Sequence, residues 1–165
     1  MDKILNWLFN KPGKIKLFLI TKVFNCFIPF NGPHKFCFME VADEKMSIRI
    51  PYRRVNKNHL GGVHACAIAT AGEYAAGILL LKNFGMKEYR YILSELEVKY
   101  HYQGRMPVIA SCHFSTTEKQ KILQILKTDK TNIRMQTELH DLKNNHVATV
   151  MTNWQIKSWS QVKTK

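Results

Sequence analysis

Between Asn58 and Gly77 the chain reads NHLGGVHACAIATAGEYAAG, and Asn58, His64 and Glu73 are the side chains in it that could do chemistry. Glu73 is the one charged residue from Ala65 to Leu81. A carboxylate among apolar neighbours can take a proton from water or attack an electrophilic carbon. The free N–H groups at a helix start can hold the oxyanion that such an attack produces. The same residues have plainer uses: a lone Glu can be a hydrogen-bonded interface group, Asn58 a turn or capping residue, and His64 a cap or packing group.

These residues need an element to hold them, and the run from Ala65 to Leu81 reads as a helix. It falls short of the ~20 apolar residues of a membrane span, and Glu73 would lie at mid-depth, where a carboxylate is most costly. A buried helix is the better reading. Ala65, Ala67, Ala69, Ala71, Gly72, Ala75, Ala76 and Gly77 leave it so little bulk that a sheet could wrap closely around it.

Strands on both sides supply that sheet. FCFMEVAD and KMSIRIPY read as a hairpin before the helix, with alternation at Met46, Ile48 and Ile50. After it, YRYILSELEVKYHY alternates through Leu96, Val98, Tyr100 and Tyr102, and a turn at Gln103-Gly104 suggests a second hairpin with MPVIASCHFST. TEKQKILQILK carries Ile122, Leu123, Ile125 and Leu126 at helical spacing. TNIRMQTELHDL and HVATVMTNWQIKSW then flank a tight turn at Lys143-Asn144-Asn145. The pattern is α+β, with six strands and one long central helix.

Length and composition fit one folded domain: 165 residues, 45% hydrophobic and 22% charged. Lys and Arg number 25 against 12 acids, a formal charge of +13 that favours anionic partners. No RNA-recognition signature or zinc-finger spacing points to nucleic acid. Tyr100, Tyr102, Trp154 and Trp159 read as core and sheet residues. Cys26, Cys37, Cys66 and Cys112 form no CxxC pair and read as reduced core residues of a cytoplasmic protein without a metal site. Residues 1–35 mix lysines with apolar residues. They read as one or two amphipathic helices, broken near Pro12-Gly13 and stopped by Pro29, that pack on the domain; contact with a membrane surface is the alternative.

Hairpin, small-residue helix and long antiparallel strands together resemble the hotdog fold. The spacing of Asn58, His64 and Glu73 resembles its acyl-CoA thioesterase branch, the PaaI-like and DUF4442-type proteins. There an Asn or Gln precedes the helix, a His-Gly pair opens it, and an acid follows nine positions after the His. LHDLKNNHVATVMTNWQI is similar to the family's final hairpin, so the likeness runs from Phe36 to Trp159. It implies an N-terminal helical extension over residues 1–35 and a hotdog domain over 36–165.

The resemblance implies hydrolysis of acyl-CoA or acyl-carrier thioesters, with coenzyme A entering only as part of the substrate and no other cofactor. Glu73 would be nucleophile or general base, Asn58 would orient water or substrate, His64 would shape the helix entrance, and the backbone N–H of Ala65 would hold the thioester oxygen. This chain has Ala65 where the family has Gly; alanine keeps the donor but adds a methyl group where substrate approaches. Glu73 lies ~12 Å along the helix from that donor at 1.5 Å per residue. The family resolves this by building each site between two subunits, so a homodimer or dimer of dimers is implied. Arg53 and Arg54, just before the site loop, are candidates for the coenzyme A phosphates. A non-catalytic acyl-thioester binder is the alternative function. A dehydratase on the same fold is a further one, since His59 precedes Glu73, but the Pro-Gly elements of that branch are missing.

Overall fold

Small side chains decide where the long helix goes. The computed structural model describes residues 7–127 and 130–162. Helix α1 spans Lys14–Phe27, α2 Ala65–Phe84 and α3 Thr116–Ile125. Strands run β1 Cys37–Val41, β2 Lys45–Ile50, β3 Tyr89–Tyr100, β4 Val108–His113, β5 Thr131–Asp141 and β6 His146–Ser158. They form one antiparallel sheet in the order β1-β2-β4-β5-β6-β3, curved around α2. This is the hotdog fold.

The contact between helix and sheet is close enough to specify glycine. A Cβ on Gly72 would stand 2.6 Å from Val150 Cβ, and one on Gly77 3.0 Å from the Trp154 ring. The Gly72 carbonyl accepts from the buried Thr137 hydroxyl at 3.0 Å, so the one polar side chain of β5 under the helix is satisfied. Ala71, Ala75, Leu79 and Leu80 of α2 fill the core with Met46 and Ile50 of β2, Val108 and Ala110 of β4, Leu139 of β5 and Val150 and Ile156 of β6. α2 is long and apolar enough to cross a membrane by composition, and here that surface lies mostly against the sheet.

The expected β3–β4 hairpin does not form. β3 pairs with β6 along Tyr89–Tyr100, while β4 lies between β2 and β5. The physical reason lies in the connection, which closes no tight turn: His101 and Tyr102 N–H both donate to the Val147 carbonyl, at 2.9 and 3.2 Å, and keep the chain on β6, whose 13 residues match the 12 of β3. The chain after β3 crosses the end of the sheet, where Gly104 accepts from Val63 N–H at 2.8 Å. The β1–β2 and β5–β6 hairpins and α3 form where the sequence places them.

α1 lies along β1. Its Ile20 and Phe24 enter the core, as do Leu8 and Phe9 ahead of it, and the Phe24 ring lies tilted against Phe38 and Tyr74 with centroids 5.4 and 6.4 Å away. Two of the four cysteines depart from the core positions expected of them. All four are free, and of these Cys112 is buried while Cys37 is half-buried and Cys26 and Cys66 are exposed. Cys26 falls on the outward face of α1, and Cys66 on the first turn of α2, which the sheet leaves uncovered. Burial pushes the Cys112 thiol up to about 11.

Candidate active site

One face of α2 escapes the sheet. Cys66, Ala69, Thr70, Glu73 and Gly77 recur at three- and four-residue steps and form the floor of an open groove of ≈ 630 Å³. Tyr91, Leu93 and Leu96 of β3 and Trp154 of β6 make one wall, and Ile28, Phe30 and Asn31, which follow α1, make the other. A bulge sets the β3 wall: register with β6 slips between Leu93 and Glu95. Strict alternation after Tyr91 and Leu93 would bring Glu95 to the groove, but the extra residue brings Leu96 instead. The wall stays apolar.

Glu73 is therefore the one charged side chain among the described residues that line this groove. No hydrogen bond or ion pair to its carboxylate is present among the described residues, and burial alone pushes its pKa up to about 7. A carboxyl group in that range is a competent proton acceptor near neutral pH and carries a proton only a little below it.

The helix entrance is built from three residues. His64 is the N-cap of α2, its Nδ1 accepting from Cys66 N–H at 3.1 Å, and its own N–H donates to the Asn56 carbonyl at 2.8 Å. Asn58 organises the loop ahead of it, where Oδ1 accepts from Leu60 N–H at 3.0 Å and Gly62 N–H at 2.9 Å. Gly61, at φ +76°, makes that turn possible. Ala65 is the first helical residue and is exposed; its N–H precedes the first intrahelical bond, from Ile68 to His64 at 3.1 Å, and no acceptor for it occurs among the described residues. Tyr100 donates to the Ala65 carbonyl at 3.3 Å and so ties the end of β3 to the helix start.

The chain thus gathers Asn58, His64 and Ala65 at one end of α2 and holds Glu73 over two turns away, ~12 Å along the axis. It does not unite the two within one subunit. Arg53 and Arg54 are exposed and line no part of the groove; Arg53 belongs to a separate basic pocket beside α1. Asn56 has no place in the sequence reading, yet it is fully buried. It donates to the His34 and Pro51 carbonyls at 3.0 and 2.9 Å and pairs with His34 Nδ1 at 2.8 Å, which fixes the loop carrying Asn58. Thr70 also has no place in the sequence reading, although its three-residue spacing to Glu73 signals the shared helix face; Tyr91, Trp154 and Phe30 join that face only through the fold.

Residues 18–156 match a family model described as a domain of unknown function, DUF4442. The chain belongs to the DUF4442 family. No curated protein sequence matches it. Among solved structures, a Pseudomonas aeruginosa protein described as a probable thioesterase superposes with a TM-score of 0.78 at 17% identity, over 86% of this chain and 95% of its own. A Haemophilus influenzae thioesterase gives 0.69 at 7% identity, over 90% and 94%. A Staphylococcus aureus thioesterase gives 0.66 at 13% identity, over 78% and 98%; variants of that protein replace a glutamine and a glutamate whose sequence separation equals that of Asn58 and Glu73. These likenesses establish the hotdog architecture for this DUF4442 protein.

Proposed function

We propose that this DUF4442 protein hydrolyses acyl-CoA or acyl-carrier thioesters in sites shared between two subunits. The observation that carries the reading is the Glu73 carboxylate, without a partner among the described residues, set in an apolar groove and brought by burial to a pKa of about 7. Solved relatives called thioesterases support it, as does the spacing of the glutamine and glutamate replaced in one of them. Dimerisation is supported by β3, an edge strand of 12 residues with no described strand on its outer side. It exposes Ile92 and Leu96 among charged residues, and an unpaired backbone edge of that length calls for a partner strand.

In the proposed reaction the Glu73 carboxylate takes a proton from water while the water oxygen bonds to the thioester carbonyl carbon. The carbonyl electron pair moves to oxygen, which is held by the Ala65 N–H and the positive end of α2 in the second subunit. Collapse of this intermediate breaks the C–S bond, and the departing thiolate takes up the proton held by Glu73. Asn58 and His64 act by fixing the loop and the helix start that present the donor. The apolar walls, Leu93, Leu96 and Trp154, receive the acyl chain.

Release of free thiol from short, long and aromatic acyl-CoA esters tests the proposal. Turnover of at least one ester by the dimer is the expected result. Saturable binding of the esters without thiol release would make the protein an acyl-thioester binder instead.

A further inference from the structure

A second surface lies at the sheet edge opposite β3. α1 is tied to β1 and the segment before it: Thr21 Oγ1 accepts from Phe38 N–H at 3.0 Å, and Asn25 Nδ2 donates to the Phe36 carbonyl at 3.0 Å. With Ile20 and Phe24 buried, these ties settle which face of α1 points outward. That face is apolar too. Ile15 is 79% exposed, Phe18 60% and Phe27 62%, with Leu19 and Val23 between them and Trp7, 56% exposed, just ahead. Nothing else in the described chain covers it.

Cations border this face. Lys16 Nζ lies 4.7 Å from the Trp7 ring centroid and Lys22 Nζ 5.3 Å from that of Phe18. Beside them a pocket of ≈ 790 Å³ has Phe18 in its lining together with Lys22, Lys35, Arg49 and Arg53, and no carboxylate. None of the four cations is in an ion pair among the described residues. Arg49 Nε is buried without an acceptor there, and its Nη2 reaches only Cys37 Sγ at 3.9 Å. A buried guanidinium donor with no acceptor, in a cleft of converging positive charge, calls for an anion.

We propose that the outward face of α1 docks on an anionic lipid bilayer. Its aliphatic and aromatic side chains enter the interface, and the pocket of Lys22, Lys35, Arg49 and Arg53 takes a lipid headgroup phosphate. Apolar residues framed by lysines are what an interfacial helix needs. Charge selects the occupant: the pocket beside this face gathers Lys22, Lys35, Arg49 and Arg53 with no carboxylate, so two copies of the face repel one another, whereas an anionic leaflet attracts it. The chain leaving α1 supplies Ile28 and Phe30 to the wall of the Glu73 groove, so a docked α1 brings that wall near the lipid.

Co-sedimentation of the whole protein with vesicles tests this. One set is pure phosphatidylcholine and the other contains phosphatidylglycerol. Binding to the anionic vesicles with a blue shift of Trp7 emission, and at least about tenfold weaker binding to neutral ones, is the expected result. Ile15→Ser with Phe18→Ser, and separately Lys22→Glu with Arg53→Glu, should each lower the partition coefficient by at least about tenfold. All four side chains are exposed, so the melting temperature should hold. Absence of vesicle binding, equal binding to both compositions, or binding indifferent to both double variants would overturn the proposal. So would a change of oligomeric state in the apolar variant without vesicle binding, which makes a second copy the occupant. Saturable binding of inorganic phosphate without vesicle affinity would make the pocket a site for soluble anions. Vesicle binding needs no turnover, so these outcomes stand apart from the thioesterase reading.

Discussion

Replacing Glu73 by Gln should stabilise the protein, and by an amount that depends on pH. The native state raises this carboxyl from its ordinary 4.5 to about 7 because burial penalises the charged form. The folded protein therefore holds the proton more tightly than the unfolded chain. As pH rises from 4.5 to about 7 the native state loses stability, and above about 7 the loss is complete. At 1.36 kcal/mol per pKa unit, that difference amounts to about 3 kcal/mol. Glutamine keeps the shape and carries no charge. Glu73→Gln should thus gain about 3 kcal/mol at about pH 9 and less than about 1 kcal/mol at about pH 5. Urea unfolding of both proteins across that range, at fixed protein concentration, reads the difference directly. A gain that is flat with pH, or that grows toward acid, would refute the assignment of Glu73 as a desolvated, unpaired carboxylate.

The other expectations follow from single contacts. Gly72→Ala drives a methyl group into Val150 of β6 and should cost about 1–3 kcal/mol in chemical denaturation. Asn58→Ala removes the acceptor shared by Leu60 and Gly62 N–H and should lower stability by about 1–2 kcal/mol, with a smaller fall in turnover than Glu73→Gln gives. Ile92→Asp puts a charge on β3 outside the groove and should turn the dimer into monomers in light scattering while the β-sheet circular dichroism is kept. Thiol release should rise with pH to a plateau above about 7, because the proton acceptor must be ionised, and a rate that falls over that interval would contradict the role given to Glu73.

Much of the fold can be read in the chain because local rules agree there. The small residues of α2 announce a helix with close neighbours, and Lys143-Asn144-Asn145 joins strands whose alternation is plain. Strand order is less legible. Alternation tells which residues share a face, not which strand lies beside which, so β3 looked like a partner for β4 when its length suits β6. At the site, the spacing of Asn58, His64 and Glu73 is visible in the sequence, but the state of Glu73 is not. Its pKa is raised by burial, in a groove whose lining includes Tyr91, Leu96 and Trp154, distant in the chain, the second brought there by a bulge that no residue pattern in β3 declares. The exposed Cys26 and Cys66 teach the same lesson from the other side. A small apolar residue on a helix reads as core until the direction of its face is known.

The central claim is that Glu73 of one subunit works with the helix start of the other, and a mixing experiment tests it most directly. Ala65 is the first helical residue, where proline fits the helix and removes only the N–H, and the extended His64 before it, at φ −65° and ψ 139°, accepts a following proline. Ala65→Pro should lower thiol release by roughly 10²–10³-fold through loss of one oxyanion donor. Glu73→Gln should lower it by roughly 10²–10⁴-fold. When the two inactive proteins are unfolded together and refolded in equal amounts, about half of the dimers are mixed. Each mixed dimer then has one site with both Glu73 and the Ala65 N–H intact. Recovery of roughly a quarter of the parent activity is the predicted result. If the mixture stays as inactive as its components while light scattering shows mixed dimers, the two groups do not meet across the interface and the shared site is wrong.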